Sequence, residues 1–154
     1  PTTPLSPPSA NQAAISSKMV LVDTSVWIEA SRRDGELAYK VGLENLLDAY
    51  EACWCSPVKL EFMGGARKED RNKLAFWFDC IPFRATEEAH WELARANAWR
   101  LRDRGHTLPW SDILIASMAL DLNMRVYAKD KHFELMSAEL GIQLYKPGYG
   151  GRYQ

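Results

Sequence analysis

Residues 20–30 read VLVDTSVWIEA and combine a strand, a turn and the beginning of a helix. The first three residues of this stretch are apolar and predict a short buried strand. Asp23, Thr24 and Ser25 follow at once, and these residue types favour the N-cap of a helix, here one that begins near Val26. The stretch therefore predicts a strand that ends on a carboxylate and turns directly into a helix.

The same alternation of strand and helix patterns continues along the chain. Further helices are expected over residues 37–52, 56–64, 68–80 and 86–104, from 111 or 112 to 122, and between the last two strands. Further strands are expected at residues 53–55, 81–84, 125–128 and 142–145. Strands separated by helices pair in parallel and need both faces covered, so this order predicts an α/β three-layer α/β/α sandwich with a mostly parallel central sheet.

Length and composition fit one globular domain. The chain has 154 residues, of which 47% are hydrophobic and 25% charged, enough to build a single core. We expect this domain to span residues 19–147. Residues 1–18 are rich in Pro, Ser and Thr, have no signal-peptide pattern, and are expected to form a flexible extension ahead of a natural start at Met19. Residues 148–154 are expected to form a flexible tail.

Charge, hydropathy and cysteine usage narrow the function classes. A net charge of −1 excludes binding of nucleic acid through overall charge, so any such contact must come from local patches. No run of 18 apolar residues is present, and no membrane span is predicted. The three cysteines form no complete disulfide set. Burial of Cys53 and Cys55 is favoured over a zinc site, and free thiols indicate a reducing cytoplasm.

Four acidic residues from distant stretches are expected to meet at one edge of the sheet. Asp23 ends the first strand, and Asp130 follows the strand RVYA at residues 125–128. Asp112 opens the most apolar helix, and Glu61 lies about one turn into the helix after the second strand. Ligands of parallel sheets bind outside the carboxyl ends of the strands, which is where these acids would converge.

A cluster of this kind indicates a divalent metal ion. Neighbouring carboxylates raise each other's pKa by repulsion, and a hard cation such as Mg²⁺ removes that conflict while it binds a phosphate substrate. Each acid also has an ordinary structural role open to it: Asp23 as a helix cap, Asp112 as a partner of the helix dipole, Glu61 as a surface acid and Asp130 as a turn residue. Only the combination favours a site of phosphodiester cleavage.

Four stretches resemble the motifs of one family, in the order and at the spacing of that family. They are VLVDTSVWIEA at 20–30, SPVKLEFMGG at 56–65, SDILIASMAL at 111–120 and RVYAKDKHFELM at 125–136. The chain thereby resembles the PIN-domain nucleases, in particular the VapC-type toxin ribonucleases, over residues 19–145.

This resemblance implies a metal-dependent endoribonuclease. Asp23 and Asp112 would bind Mg²⁺ directly, with Mn²⁺ able to substitute, and Glu61 and Asp130 would complete the catalytic quartet directly or through water. The substrate implied is RNA, often a structured RNA such as transfer RNA. The partners implied are a cognate antitoxin protein and a second copy of the chain in a homodimer.

Residues beside the acids are the expected substrate contacts. By the resemblance, Thr24 or Ser25 adds a hydroxyl to the site. Lys129 and Lys131 bracket Asp130 and are favoured as RNA contacts because of that location. Basic clusters on two other helices are interpreted as solvated faces.

Six tryptophans are a high count for a chain of this length. Trp27 and Trp77 lie near apolar stretches and are interpreted as core residues. Trp91 and Trp99 are eight residues apart and share one helix face. Core packing is favoured for this pair over a homodimer surface or an antitoxin groove, where Trp serves as a buried anchor.

Other enzyme classes fit less well. A haloacid-type phosphotransferase needs a second Asp where Ser25 stands, and a dinucleotide-binding fold needs a GxGxxG that is missing. A DNA-directed structure-specific nuclease stays open, although nothing in the sequence supplies a helical arch. The alternative from another class is a binding or regulatory module that keeps the fold without nuclease activity, and the presence of all four acids argues against it.

Overall fold

A computed structural model describes residues 18–147 of the chain. The strands are β1 (Val20–Val22), β2 (Ala52–Cys55), β3 (Phe83–Arg84) and β4 (Arg125–Tyr127). The helices are α1 (Thr24–Ser31), α2 (Leu37–Asp48), α3 (Ser56–Gly64), α4 (Arg71–Asp79, after a 3₁₀ turn at Lys68–Asp70), α5 (Glu88–Asp103), α6 (Trp110–Asp121) and α7 (His132–Leu140). Apart from Lys18, the predicted extension over residues 1–18 and the tail over 148–154 lie outside the described residues.

The four strands form one parallel sheet in the order β3-β2-β1-β4, which confirms the predicted α/β architecture. The fifth strand predicted at residues 142–145 is wrong: this segment makes a single parallel bridge, between Leu144 and Val126. Successive residues of a strand direct their backbone groups to opposite sides. In the three-residue strand β4, Val126 is therefore the residue whose backbone groups point away from β1. The Val126 N–H donates to the Gln143 carbonyl, and the Val126 carbonyl accepts from the Tyr145 N–H.

The order of the strands creates a crevice beside β1. The chain builds β1, β2 and β3 toward one edge and then crosses to place β4 on the other side of β1. Right-handed crossovers in opposite directions put their helices on opposite faces, which leaves a crevice at the carboxyl ends of β1 and β4. In agreement, α1 packs on α2 and α3, while α6 packs on α5 and α7. The carboxyl ends of β1 and β4 are thus the expected location of a ligand site.

Buried strands and one buried helix form the core. Every residue of β1 and β2 is buried, and so are residues 112–119 of α6, as predicted. Burial raises the pKa of Cys53 to about 11 and that of Cys55 to about 12, so both act as small apolar side chains. None of the helices within residues 18–147 is long and apolar enough to cross a membrane.

The aromatic core is centred on Phe78. Its ring lies 4.9 Å from Trp27, 4.2 Å from Trp54 and 5.3 Å from Phe62, measured between centroids. Trp27 is buried as predicted, whereas the prediction that Trp77 is a core residue is wrong, because its side chain is 52% exposed. On a helix the residue before a buried one points about 100° away, which turns Trp77 outward.

The favoured core assignment of Trp91 and Trp99 is also wrong. They are 55% and 64% exposed, and they line an apolar groove of about 420 Å³ between α5 and α6 together with Trp110. The buried stripe of α5 runs instead through His90, Ala94, Asn97 and Leu101. The two tryptophans do share one face of α5, but this face lies beside the buried stripe and borders the groove.

One helix ends earlier than its apolar pattern suggests. The helix predicted over 37–52 ends at Asp48, and Ala52 belongs to β2. Tyr50 has a φ of +56°, in the left-handed region, which stops the helix and turns the chain into the strand.

Candidate active site

Asp23 is held at the junction of β1 and α1. It is the N-cap of α1, and its Oδ2 accepts hydrogen bonds from the Ser25 N–H at 3.0 Å and the Ser25 hydroxyl at 2.6 Å. Its own N–H donates to the Tyr127 carbonyl at 2.9 Å, which ties the end of β1 to the end of β4. Asp23 is buried, with 4% of its surface exposed. Capping therefore orients a carboxylate at the crevice that the strand order creates.

Asp112 and Asp130 meet at one imidazole. Asp112 is the third residue of α6 and Asp130 lies in the loop between β4 and α7. The Nδ1 of His132, the first residue of α7, lies 2.9 Å from Asp112 Oδ2 and 3.1 Å from Asp130 Oδ1. The His132 N–H also donates to Asp130 Oδ1 at 3.3 Å. Two of the four predicted acids are thus brought together directly.

These three side chains form a candidate metal-binding group. Ligand atoms of Asp112, Asp130 and His132 all lie within 4.8 Å of one another. His132 was not predicted as a site residue, and the available signal was its position two residues after Asp130 in KDKH. Two carboxylates and an imidazole are oxygen and nitrogen donors that divalent ions accept.

Glu61 approaches the cluster from α3. The side chain is exposed, and it lines an open groove of about 500 Å³ between α1, α3 and α4. Partial burial raises the pKa of Glu61, the charges of Asp23 and Asp112 raise it further, and a hydrogen bond with Ser111 lowers it. The charges of Asp23 and Asp112 therefore act on Glu61, although Glu61 is not among the three residues grouped at Asp130.

The electrostatics of the cluster are those of crowded like charges. Burial is the main cause that raises the pKa of Asp23 and of Asp112. For Asp23 the two Ser25 hydrogen bonds lower the pKa and the Asp130 charge raises it. For Asp112 the hydrogen bond with His132 lowers the pKa, while the charges of Asp23 and Asp130 raise it. A divalent cation would relieve this repulsion, so the donor set and its charge fit such an ion.

The four predicted substrate contacts differ in location. Thr24 is buried, and its hydroxyl has no hydrogen-bond partner among residues 18–147. Ser25 bonds to Asp23 and accepts the Lys129 N–H at 3.0 Å. The Lys129 ammonium is engaged by two carboxylates of the protein, whereas Lys131 is exposed at the N-terminus of α7.

Comparisons with known proteins agree on the fold. Residues 20–139 match the sequence model of the PIN domain. Ribonuclease VapC11 of Mycobacterium tuberculosis is 28% identical over 130 residues, which cover 81% of this chain and 96% of that protein. A VapC ribonuclease of Mycobacterium bovis is similar to the same extent.

Two solved structures have a similar fold. VapBC2 from Rickettsia felis, bound to a DNA fragment from its promoter, has a TM-score of 0.68 at 17% identity, covering 88% of this chain and 99% of that chain. FitAcB from Neisseria gonorrhoeae has a TM-score of 0.67 at 16% identity, covering 84% and 98%. At such identities the likeness concerns the fold alone.

Proposed function

The chain belongs to the PIN domain family, and from that premise we propose that it is an Mg²⁺-dependent endoribonuclease that acts as the toxin of a toxin–antitoxin pair. The observation that carries the proposal is the convergence of Asp112 and Asp130 on His132, with Asp23 and Glu61 in the same electrostatic cluster. The likeness to VapC ribonucleases supports RNA as the substrate.

We assign direct metal binding to Asp23 and Asp112, and a direct or water-mediated role to Glu61 and Asp130. When bound, Mg²⁺ or Mn²⁺ would activate a water molecule and stabilise the charge that develops on a cleaved phosphodiester. His132 fixes the relative position of Asp112 and Asp130 through Nδ1. Ser25 holds the Asp23 carboxylate in place, which limits the reorganisation needed when the cation binds.

The substrate would be bound by groups next to the carboxylates. Lys131 follows Asp130 and is exposed, so its ammonium is available to an RNA phosphate. The groove at Glu61 also contains Arg67 and Lys73, and it can take a strand of RNA that continues from the cluster. A structured RNA such as transfer RNA is the class we propose, by similarity to the family.

Two protein partners belong to this proposal. The solved structures of similar fold include toxin–antitoxin complexes, which supports a cognate antitoxin for this chain. Exposed Trp91, Trp99 and Trp110 along one groove offer anchors for a protein partner, either the antitoxin or a second copy in a homodimer. The buried free thiols of Cys53 and Cys55 fit a cytoplasmic protein.

Cleavage of labelled transfer RNA and of a DNA of matched sequence tests the function. Antitoxin-free protein is assayed with Mg²⁺, with Mn²⁺ and with chelator, beside Asp112→Asn and Asp48→Asn. Asp48 ends α2 and is exposed, so its variant is a matched control for the loss of one carboxylate. We expect metal-dependent cleavage of RNA that is lost in Asp112→Asn and kept in Asp48→Asn.

The other outcomes point to the remaining candidates. Cleavage of DNA in preference to RNA would indicate a structure-specific DNA nuclease. Absence of cleavage together with absence of metal binding by calorimetry would indicate a binding or regulatory module that keeps the fold. Full activity of Asp112→Asn with normal metal dependence would remove Asp112 from the site.

A further inference from the structure

The ammonium of Lys129 is held by two acidic side chains from the region of α1 and α2. It lies 3.1 Å from Glu29 Oε2 and 2.9 Å from Glu36 Oε1. It also lies 5.6 Å from the centre of the Tyr39 ring, within the range of a cation–π contact. The lysine next to Asp130 therefore bonds to the protein itself.

Glu29 is the buried member of this arrangement. Its side chain is 10% exposed, and its Oε1 accepts the Glu36 N–H at 2.8 Å. The Glu36 N–H and the Lys129 ammonium lower the pKa of Glu29, so the carboxylate is charged at neutral pH. A buried carboxylate that lost its cation would be left uncompensated, which gives the Glu29–Lys129 pair a reason to persist.

The backbone of Lys129 is attached to the same helix, α1, that carries Glu29. Its N–H donates to the Ser25 hydroxyl at 3.0 Å, and that hydroxyl donates to Asp23 Oδ2 at 2.6 Å. Lys129 is thus bonded to α1 twice, by its main chain at Ser25 and by its side chain at Glu29. Asp130 comes next in the chain, and its carboxylate lies 3.1 Å from His132 Nδ1.

We propose that Glu29, Lys129 and Glu36 form a clamp that fixes the loop carrying Asp130, and that Lys129 is a positioning residue and not an RNA contact. Glu29 is the main anchor, since Glu36 is 60% exposed and ion pairs at exposed positions contribute little. The clamp deepens the proposed nuclease function and rests on it, because the placement of Asp130 matters for catalysis only if Asp130 belongs to the active site.

Amide hydrogen exchange and steady-state kinetics test the clamp together. Glu29→Gln removes the charge but keeps an acceptor, Lys129→Met removes the cation, and Lys68→Met is a control on the exposed 3₁₀ turn. In metal-free, RNA-free protein, both clamp variants should speed exchange over residues 128–132, and the control should not. Both should lower kcat by about ten- to a hundredfold with little change in KM, as expected when a reacting group shifts by roughly 1 Å.

The double variant separates a clamp from an RNA contact. In a clamp the second substitution adds little to the first, because either one already breaks the Glu29–Lys129 pair. If Lys129 instead contacts RNA, Lys129→Met raises KM, whereas Glu29→Gln frees the ammonium and lowers KM. That pattern, or unchanged exchange over residues 128–132 in both single variants, overturns the proposal.

Two further measurements keep the test independent of folding and of the proposed function. Lys129→Arg retains the cation and should restore slow exchange and most of kcat, and circular dichroism melts report whether each variant is folded. A wild-type protein that cleaves no RNA would contradict the proposed function. Hydrogen exchange in the variants still decides whether Glu29 and Lys129 hold the loop.

Discussion

Replacing Asp112 by asparagine is expected to stabilise the metal-free protein while it removes nuclease activity. Asp112 is 8% exposed, and its burial is the largest cause of its raised pKa. The charges of Asp23 and Asp130 add to that rise, against the hydrogen bond with His132. Asparagine keeps a carbonyl oxygen that can accept from His132, but it carries no charge to repel the neighbouring acids.

The expected magnitude follows from the distances at the site. Candidate ligand atoms of Asp112 and Asp130 lie within 4.8 Å of each other. Two like charges at that separation repel by about 3.5 kcal/mol at an effective dielectric constant of about 20. The Asp130 side chain is 42% exposed, so water screens much of this repulsion. We expect a gain of about 1–2 kcal/mol in the free energy of unfolding, or about 3–8 °C in Tm.

The gain should depend on pH. A carboxyl whose pKa in the folded state is raised above 3.8 binds its proton more tightly in the folded than in the unfolded protein. The contribution of Asp112 to the free energy of unfolding therefore falls as the pH rises from that unfolded pKa through the folded pKa, and then levels off. Asparagine does not titrate, so the advantage of Asp112→Asn grows over the same window and is largest at neutral pH.

Urea unfolding at neutral pH, in chelator and then in Mg²⁺, measures both effects. A cation at a hundredfold excess over its Kd adds about 2.7 kcal/mol to a protein that binds it only when folded. Wild type should gain such an increment and Asp112→Asn little of it, so the order of the two stabilities reverses. A variant less stable than wild type in chelator would refute the argument from repulsion. Equal gains from Mg²⁺ would show that Asp112 is not a ligand.

Three other substitutions have expected outcomes that depend on packing. Phe78→Ala should lower the free energy of unfolding by about 3–5 kcal/mol in urea titrations, because Phe78 contacts three aromatic rings in the core; a loss below about 1 kcal/mol would contradict this. Gly42→Ala places a Cβ 2.3 Å from the hydroxyl of buried Tyr127. We expect a net loss of about 1 kcal/mol, since overpacking outweighs the gain in helix propensity, and a stabilised variant would be inconsistent with that clash. Trp99→Glu should leave unfolding within about 0.5 kcal/mol of wild type but weaken self-association or antitoxin binding in sedimentation velocity; unchanged association would exclude this face as the contact.

The parallel sheet could be predicted because its central strands are apolar on both faces. Every residue of Val20–Val22 and of Ala52–Cys55 is buried, and short apolar runs between helices are typical of the inner strands of a parallel sheet. Pairing at the sheet edge could not be predicted from the apolar pattern. Ile142 and Tyr145 are buried as in a strand, yet their segment makes one bridge, because the short strand β4 limits what can pair with it.

Helical spacing, more than residue type, decides which tryptophans are buried. Leu74 and Phe78 are four residues apart and define the inner face of α4, which leaves Phe76 and Trp77 outside at 74% and 52% exposure. The exposure of Trp91 and Trp99 could not be obtained in this way, since the sequence does not show whether an apolar helix face packs on the core or stays exposed.

At the candidate site, the rule that ligands bind beyond the carboxyl ends of strands located Asp23 and Asp130 from sequence. His132 was missed because its contact with Asp112 depends on how α7 turns back toward the start of α6. The partner of the Lys129 ammonium was missed for a similar reason. The position of Lys129 next to Asp130 in the sequence suggested an RNA contact, whereas the fold brings the Glu29 carboxylate to 3.1 Å from the Lys129 ammonium.

The stretch at residues 20–30 contributes more to the site than the carboxylate of Asp23. Ser25 orients Asp23 and also accepts the N–H of Lys129, and Glu29, one turn further along α1, bonds to the Lys129 ammonium. Because β1 is paired with β4, a helix that begins at the end of β1 runs beside the loop that follows β4. Substitutions on this face of α1 should therefore act on Asp130 as well as on Asp23, and a variant there that changes activity need not touch either carboxylate.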